Sequence, residues 1–195
     1  MLFRSIEDLL QSAAEINFFD TPPDTITAGI VWDAKLIVSN NTGHNFPSGT
    51  TFPRQLWIEL IATIGNDTLL TSGWLDANGD LLDFYTDPSG EQDPQLRIFN
   101  TILYDAQGDS GLLAVSVENM VAMTDRTLPV SGSRTINYSI NIPVGIEGEL
   151  HFSAKLHFRS FPPFYLRHLD LESLIVNVNI FDIDSLTQTL YVSSI

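Results

Sequence analysis

The feature that most constrains the fold of this chain is a strict alternation of apolar and polar residues in several short segments. It is clearest at 135–142 and 150–159, where every second residue is apolar. Because strand side chains point to opposite faces with a period of two, each segment predicts a strand with one buried and one solvated face. Further strands are predicted at 30–38, 56–64, 68–74, 113–117, 174–181 and 189–194.

Turns rich in Gly, Pro and Asn separate these segments, and Gly65-Asn66-Asp67 is typical of a hairpin. Seven to nine such strands predict an all-β fold, an antiparallel β-sandwich of roughly immunoglobulin-like type. The 195 residues, of which 44% are hydrophobic, suffice for a core without disulfides. Two of the three tryptophans lie in apolar strand segments, so we expect most of them in the core rather than on a glycan-binding surface.

The N-terminal segment has a different period. Its apolar residues recur at helical spacing and predict one amphipathic helix over 2–17. We therefore divide the chain into an N-terminal linking or docking helix, 1–20, and a β-sandwich domain, 21–195. The apolar stripe either packs on the domain's own sheet or docks on another region. Because Glu7 and Asp8 interrupt the apolar run, the segment does not match a signal peptide.

Charge limits the classes of partner. The chain has 9 Lys and Arg against 24 Asp and Glu, a formal net charge of −15. Nucleic acid and anionic membranes would be repelled, whereas cationic partners or metal ions remain compatible. No apolar run approaches the roughly 18 residues that a membrane-spanning helix needs.

One loop, 39–54, is densely punctuated by residues that fix backbone conformation. It contains two prolines and two glycines, and Asn40 and Asn41 can hydrogen-bond their own backbone. A histidine in such a shaped loop, His44, has a defined direction.

This loop also carries a resemblance to a known family, and three further motifs follow it in the same order. The motifs are Asn40-x-Thr42-Gly43-His44-x-x-Pro47-Ser48-Gly49, Ser72-Gly73 with Asp76-x-x-Gly79, Asp125-Arg126-x-Leu128-Pro129, and Leu156-x-Phe158-Arg159-x-Phe161-Pro162-Pro163. Together they resemble the C-terminal β-domain of secreted multihaem c-type cytochromes. The resemblance implies an extracellular, cell-surface or periplasmic location and a multihaem cytochrome subunit or region as partner. The chain departs from such cytochromes because it has no cysteine and so cannot attach haem through Cys-x-x-Cys-His.

His44 is the residue we single out for chemistry. Imidazole is a common axial ligand of c-type haem, so His44 is a candidate ligand in trans to a haem carried by the partner. The alternative is structural, with the ring holding its own turn.

Asp76, Asn78 and Asp80 are candidate calcium ligands, because their oxygens recur at alternate positions as at the start of a calcium loop. The EF-hand pattern fails, since Gly79 is one position early and the final glutamate is missing. A simple turn between strands is the alternative, because Asn-Gly commonly marks hairpins.

The polar face of the predicted strand 150–159 is cationic, which is unusual in so acidic a chain. It presents His151, Lys155, His157 and Arg159. This cationic strip either offsets acidic neighbours on adjacent strands or forms an interaction surface for an acidic partner or haem propionates.

Signatures of common enzymes are missing from the sequence, which has no Gly-x-Ser-x-Gly, no His-Glu-x-x-His and no cysteine nucleophile. We therefore predict that the chain is not an enzyme. Two functional classes remain: a haem-free accessory domain of a multihaem cytochrome assembly that docks, insulates or anchors, and a haem-free extracellular binding, adhesion or filament module.

Overall fold

The structure, a computed structural model, describes residues 6–83, 86, 90–111 and 115–194. Two short α-helices are present in this part, α1 (Ile6–Gln11) and α2 (Pro163–His168). The strands are β1 (Ala14–Phe18), β2 (Thr25–Thr27), β3 (Val31–Asn40), β4 (Gln55–Ile64), β5 (Asp67–Ser72), β6 (Ile98–Phe99), β7 (Thr101–Asp105), β8 (Met120–Asp125), β9 (Ser133–Asn141), β10 (Gly148–Arg159) and β11 (Phe181–Ser193). Single 3₁₀ turns or short 3₁₀ helices occupy Val117–Asn119 and Glu172–Asn177.

The strands form two main sheets. One has the order β1-β3-β9, and the other has the order β2-β11-β10-β4-β5 with β6 also paired to β4. Strands β7 and β8 form a separate ribbon. Within the described residues, the strands pair antiparallel except for β2 and β11, which are parallel. The predicted antiparallel sandwich is therefore confirmed, with this one exception.

The core lies between the two main sheets and is built from their inward-facing residues. Phe152 on β10 contacts the rings of Phe18 and Trp32 from the other sheet, with ring centroids 5.3 and 5.6 Å apart. Trp32 and Trp57 are buried, as expected, whereas Trp74 is exposed. Among the described residues, no helix has the length and apolar character needed to cross a membrane.

The predicted helix over 2–17 is wrong beyond Gln11. Residues 14–18 form β1, which pairs with β3 along its whole length. Ala14 and Ile16 are buried and the intervening Glu15 is exposed, so the same apolar residues also satisfy a period of two. Pairing with the open edge of β3 outweighs the local helical preference. Residues 1–5 lie outside the described part, and the division of the chain at residue 20 stays a prediction.

One of the two strands predicted near the C-terminus is also wrong. The segment 174–181 begins in the 3₁₀ helix Glu172–Asn177 and becomes strand only at its last residue, whereas the strand predicted at 189–194 lies within β11, Phe181–Ser193, which starts earlier than expected. The long strand β10 offers a partner along this whole segment, so pairing overrides the interrupted alternation. The strand predicted at 113–117 falls partly on undescribed residues, and its end, Val117, begins a 3₁₀ turn.

Candidate functional site

The first and third sequence motifs meet at one buried asparagine. Asn40, at the end of β3 and only 3% exposed, donates through Nδ2 to the carbonyls of His44, Leu128 and Pro129 at 2.8, 3.2 and 3.0 Å. Its Oδ1 accepts from the backbone N–H and the hydroxyl of Thr42 at 2.9 and 2.7 Å. We call this group the Asn40 hub. It joins two segments that are about 90 residues apart in the chain and gives both their conformation.

Neighbouring residues extend this joint. Asn45 donates to Asp125 at 3.2 Å and accepts from the backbone N–H of Val130 at 3.1 Å. Phe46 and Leu128 exchange backbone hydrogen bonds of 2.9 and 2.7 Å. The loop that carries His44 is thus anchored on both sides of the histidine.

The imidazole of His44 itself is exposed to solvent. Its Nδ1 lies 3.1 Å from the carbonyl oxygen of Asn45 and 3.2 Å from the hydroxyl of Thr42. Because a carbonyl oxygen only accepts, these contacts favour the proton on Nδ1 and leave a lone pair on Nε2, which has no partner among the described residues. Metal-bound histidines commonly have this arrangement, with one nitrogen donating to a backbone carbonyl and the other facing the metal. The geometry therefore fits both alternatives, because the ring braces its turn and still offers Nε2.

His44 lines a surface cleft of about 630 Å³, which we call the His44 cleft. Its apolar wall includes Ile6 and Leu9 of α1, which are 70% and 56% exposed. The rings of Phe46 and Phe158 stack below it, with centroids 5.8 Å apart. Arg54 also lines the cleft and donates to the carbonyl of Ser48. The cleft thus combines an apolar wall with one cation and one available imidazole nitrogen.

The second and fourth motifs meet at a buried arginine. Arg159, at the end of β10, is 1% exposed and donates to Gln55 Oε1 and to the carbonyl of Gly79, both at 2.5 Å. Its guanidinium lies 5.2 Å from the ring centroid of Trp57. We call this group the Arg159 hub. It fixes the turn at 76–80 against the sheet.

Electrostatics at this hub reflect the buried charge. Burial lowers the pKa of Arg159 to about 10, while the carboxylates of Asp80, Asp83 and Asp76 act in the opposite direction. Nη2 has no hydrogen-bond partner among the described residues. The arginine is therefore held as a structural cation at a cost in desolvation.

Gly73 lies next to the Arg159 hub and contacts Trp57 and Asp93. Its carbonyl accepts from Trp57 Nε1 at 3.0 Å, and its N–H donates to Asp93 at 2.7 Å. Its φ is +75°, and an added Cβ would lie 2.1 Å from the carbonyl oxygen of Ile58. Only glycine fits this position.

The candidate calcium ligands take part in the same turn. The buried Asp80 accepts from the backbone N–H of Phe164 at 2.9 Å and forms an ion pair with Arg167 of α2. Asp76 Oδ1 accepts from the backbone N–H groups of Asn78 and Asp80, both at 2.8 Å. Slight burial raises the pKa of Asp76, but these hydrogen bonds outweigh it and hold the pKa below its ordinary value. These contacts favour the turn interpretation, since the carboxylates already have partners.

No group of three or more His, Asp or Glu residues suited to a metal ion occurs in the described part of the chain. A calcium site at Asp76, Asn78 and Asp80 stays a prediction that these contacts do not support.

The cationic strip of β10 is largely compensated. His157 is buried with Nδ1 2.9 Å from Asp182 and Nε2 3.4 Å from Glu59, both on neighbouring strands. Lys155 lies 3.9 Å from Asp182, and His151 lies 3.9 Å from Glu149 of its own strand. With Arg159 buried, these contacts favour the interpretation that the strip offsets acidic neighbours. Its role as an interaction surface stays a prediction.

A second cationic surface was missed in the sequence. Arg97, Arg126 and Arg134 line a groove of about 490 Å³ between β6 and β9, which we call the arginine groove. The three residues come from separate segments and share no motif. Only the fold brings them together, so no sequence signal could have identified the groove.

Comparison with known proteins gives a fold likeness to part of a cytochrome. No protein-family model and no curated protein sequence matches the chain. The fold is similar to part of a penta-haem cytochrome c552 from Thermochromatium tepidum, with a TM-score of 0.63 and 17% identity over 94% of this chain. The chain spans 41% of that cytochrome's length. At this identity the likeness shows a shared fold alone.

Two other solved structures are much less similar. One is AvmM, which catalyses macrocyclization in alchivemycin A biosynthesis, with a TM-score of 0.37 and 11% identity over 94% of this chain and 90% of that chain. The other is the sporulation control protein Spo0M from Bacillus subtilis, with a TM-score of 0.33 and 7% identity over 94% of this chain and 50% of that chain. These scores are too low to support an inference about this chain.

Proposed function

We propose that this chain is a haem-free accessory module of a multihaem c-type cytochrome assembly, located outside the cytoplasmic membrane. The observation that carries the proposal is the fold likeness to a penta-haem cytochrome, at a TM-score of 0.63 over 94% of this chain. The four ordered motifs support it, because they form the two hubs that shape the domain.

In this proposal the partner carries the haems and performs the redox chemistry. The chain has no cysteine and therefore no means of attaching a c-type haem covalently. Its contribution is docking, insulation or anchoring, without a catalytic step of its own.

The His44 cleft is the place where the partner docks. An exposed apolar wall next to a cation suits a haem edge, because the porphyrin is apolar and its propionates are anionic. The lone pair on His44 Nε2 makes this residue the candidate axial ligand in trans.

Affinity purification from the native source tests the proposal. The tagged chain is isolated under native conditions, and the eluate is separated by denaturing electrophoresis and stained for covalently bound haem. We expect a haem-bearing polypeptide at a constant ratio to the tagged chain. Eluates that contain no haem-bearing polypeptide across growth conditions would refute the accessory role.

The role of His44 as ligand requires a second readout. The visible spectrum of the purified assembly is compared between wild type, His44→Ala and His151→Ala, since His151 is another exposed histidine far from the motif. Loss of a low-spin haem signal in His44→Ala alone supports coordination. Identical spectra in all three proteins would exclude haem coordination by His44, and the docking role would be unaffected.

A second candidate function, an extracellular assembly module, is favoured by the exposure of β8. Every residue of this strand is exposed, and Val121 and Met123 are 65% and 64% exposed. In the described part of the chain β8 pairs only with β7, so its other edge is free. A free apolar edge can pair with another chain. Concentration-dependent self-association of wild type that Val121→Lys abolishes would favour this candidate.

A further inference from the structure

The arginine groove concentrates positive charge in a strongly acidic chain. It holds three of the nine Lys and Arg residues, whereas the net charge is −15. Its remaining lining is partly apolar and consists of Leu96, Ile98, Phe99 and Ile136 together with the start of β9. A volume of about 490 Å³ is within the range of ligand-binding sites.

Two of these arginines are held by backbone carbonyls rather than by carboxylates. Arg97 donates to the carbonyls of Leu96 and Asn137 at 3.0 and 3.3 Å. Arg134 donates to the carbonyls of Thr127 and Asp125 at 2.7 and 3.2 Å. Neither forms an ion pair within the described residues. Carbonyl dipoles orient a guanidinium but leave its charge uncancelled, so Arg97 and Arg134 contribute positive charge to the groove.

The groove also contains an open strand edge. The backbone N–H and C=O of Ser139 are hydrogen-bonded to the Gln95 side chain at 2.8 and 3.0 Å, so they point away from β3. Because the direction alternates along an antiparallel strand, the backbone groups of Asn137, Thr135 and Ser133 point the same way. Gln95 and Arg97 thus cover one half of the edge, and Thr135 lies on the half that opens into the groove.

We propose that the arginine groove binds an extended acidic peptide segment of a protein partner. Its carboxylates contact Arg97 and Arg134, and its backbone pairs with Thr135 at the edge of β9. Charge complementarity selects an acidic segment, and the open edge selects an extended one. The proposal is independent of the haem-related function, because it concerns a different surface and any partner with such a segment.

Fluorescence anisotropy with a labelled synthetic peptide tests this proposal on the full chain. The probe is Glu-Val-Glu-Val-Glu-Val-Glu, and its matched control has glutamine in place of every glutamate. We expect only the acidic peptide to bind, with an affinity that falls as salt is raised. Equal binding of the glutamine peptide, or no binding of either peptide at low salt, would overturn the proposal.

Variants locate the interaction. The double variant Arg97→Gln/Arg134→Gln is expected to weaken binding by about tenfold or more, as for loss of charge-assisted hydrogen bonds. The control Lys35→Gln/Lys155→Gln removes the same charge from outside the groove and is expected to change binding by less than about twofold. Similar losses of affinity in both variants would show a general charge effect and would contradict binding in the arginine groove.

A third variant tests the strand pairing. Thr135→Pro removes an N–H that points away from β3 and therefore leaves the hydrogen bonds of the sheet in place. It is expected to weaken binding of the acidic peptide clearly, while the melting temperature of the protein stays within a few degrees of the wild-type value. If free glutarate competes as well as the unlabelled peptide does, the groove is a small-anion site and the peptide proposal fails.

A measurement on wild type covers the case in which a variant does not fold. Addition of the acidic peptide is expected to shift the amide resonances of Ser133, Thr135 and Ile136 more than those of β10. Shifts confined to other surfaces would overturn the proposal.

Discussion

The Asn40 hub and the Arg159 hub each join distant segments around one buried polar side chain, but they differ in charge. Asn40 is neutral, and its hydrogen bonds go to carbonyl groups and to Thr42. Arg159 is charged, and its contacts hold the turn at 76–80 and the ring of Trp57. The neutral hub leaves the His44 ring exposed to solvent. At the charged hub, the contacts of Arg159 are instead used to hold the turn at 76–80 and the ring of Trp57 in place. We therefore assign function to the first and structure to the second.

The largest effect is expected at Gly73, which supports the charged hub through Trp57. Gly73→Ala places a Cβ 2.1 Å from the Ile58 carbonyl oxygen, at a φ of +75°. Strain and clash together should cost more than about 3 kcal/mol and prevent accumulation of folded protein. Gly65→Ala is the matched control, because its φ of +57° is similar but no atom lies within 4 Å.

Circular dichroism and solubility after expression distinguish the two glycine variants. A folded Gly73→Ala protein with wild-type stability would show that the turn near Trp57 is adaptable and would weaken the contrast between the hubs.

Removal of the charged hub should have the next largest effect. Arg159→Ala leaves Gln55 and the Gly79 carbonyl without their donor, and we expect a loss of about 3–5 kcal/mol in the free energy of unfolding. Lys155→Ala, four residues earlier on the exposed face of β10, should cost less than about 1 kcal/mol. Urea denaturation measures both, and equal costs would contradict the structural role of Arg159.

Loss of the neutral hub should lower the free energy of unfolding somewhat less. Asn40→Ala removes the hydrogen bonds that a buried side chain donates to the carbonyls of Leu128 and Pro129, and it is expected to cost about 2–3 kcal/mol. His44→Ala keeps the carbonyl that Asn40 binds and removes only an exposed ring, so it should cost less than about 0.5 kcal/mol. If denaturation shows that His44→Ala is as destabilising as Asn40→Ala, the ring is structural and the functional assignment is wrong.

The smallest effect concerns pH. Hydrogen bonds hold the pKa of Asp76 below its ordinary value of 3.8 in the folded state. The resulting stabilisation is fully present above pH 3.8 and is lost as the pH falls below it. Because Asp76 is exposed, its contribution should be no more than about 0.5 kcal/mol.

The comparison with Asp76→Ser isolates this effect, because serine can accept the same turn hydrogen bonds but does not titrate. The difference in unfolding free energy between wild type and variant should shrink between about pH 5 and pH 2.5. A difference that grows on acidification would contradict the direction of the pKa shift.

The sequence predicted the elements whose pattern is local. Alternation identified β9 and β10, and the glycines, prolines and asparagines identified the loop that carries His44. It did not predict β1, because its apolar residues fit both a helix and a strand and only the open edge of β3 decides between them.

For the functional surfaces as well, sequence predicted what is local to one strand and missed what depends on tertiary contacts. Sequence grouped Arg159 with Lys155 on one strand face, but the turn at 76–80 covers the end of β10 and buries the arginine. The arginine groove depends on Arg97, which meets Arg126 and Arg134 from a different part of the chain only after folding. Whether a charged side chain is available to a partner depends on the residues that contact it from other strands and loops. The face of its own strand does not decide this.

The central claim is that the His44 cleft faces a haem of a partner chain. An electron cryomicroscopy structure of the assembly purified through this chain tests it most directly. We predict a c-type haem against the cleft, with an iron to His44 Nε2 distance of about 2 Å if the histidine coordinates. A cleft that faces solvent, or a partner without haem, would contradict the claim.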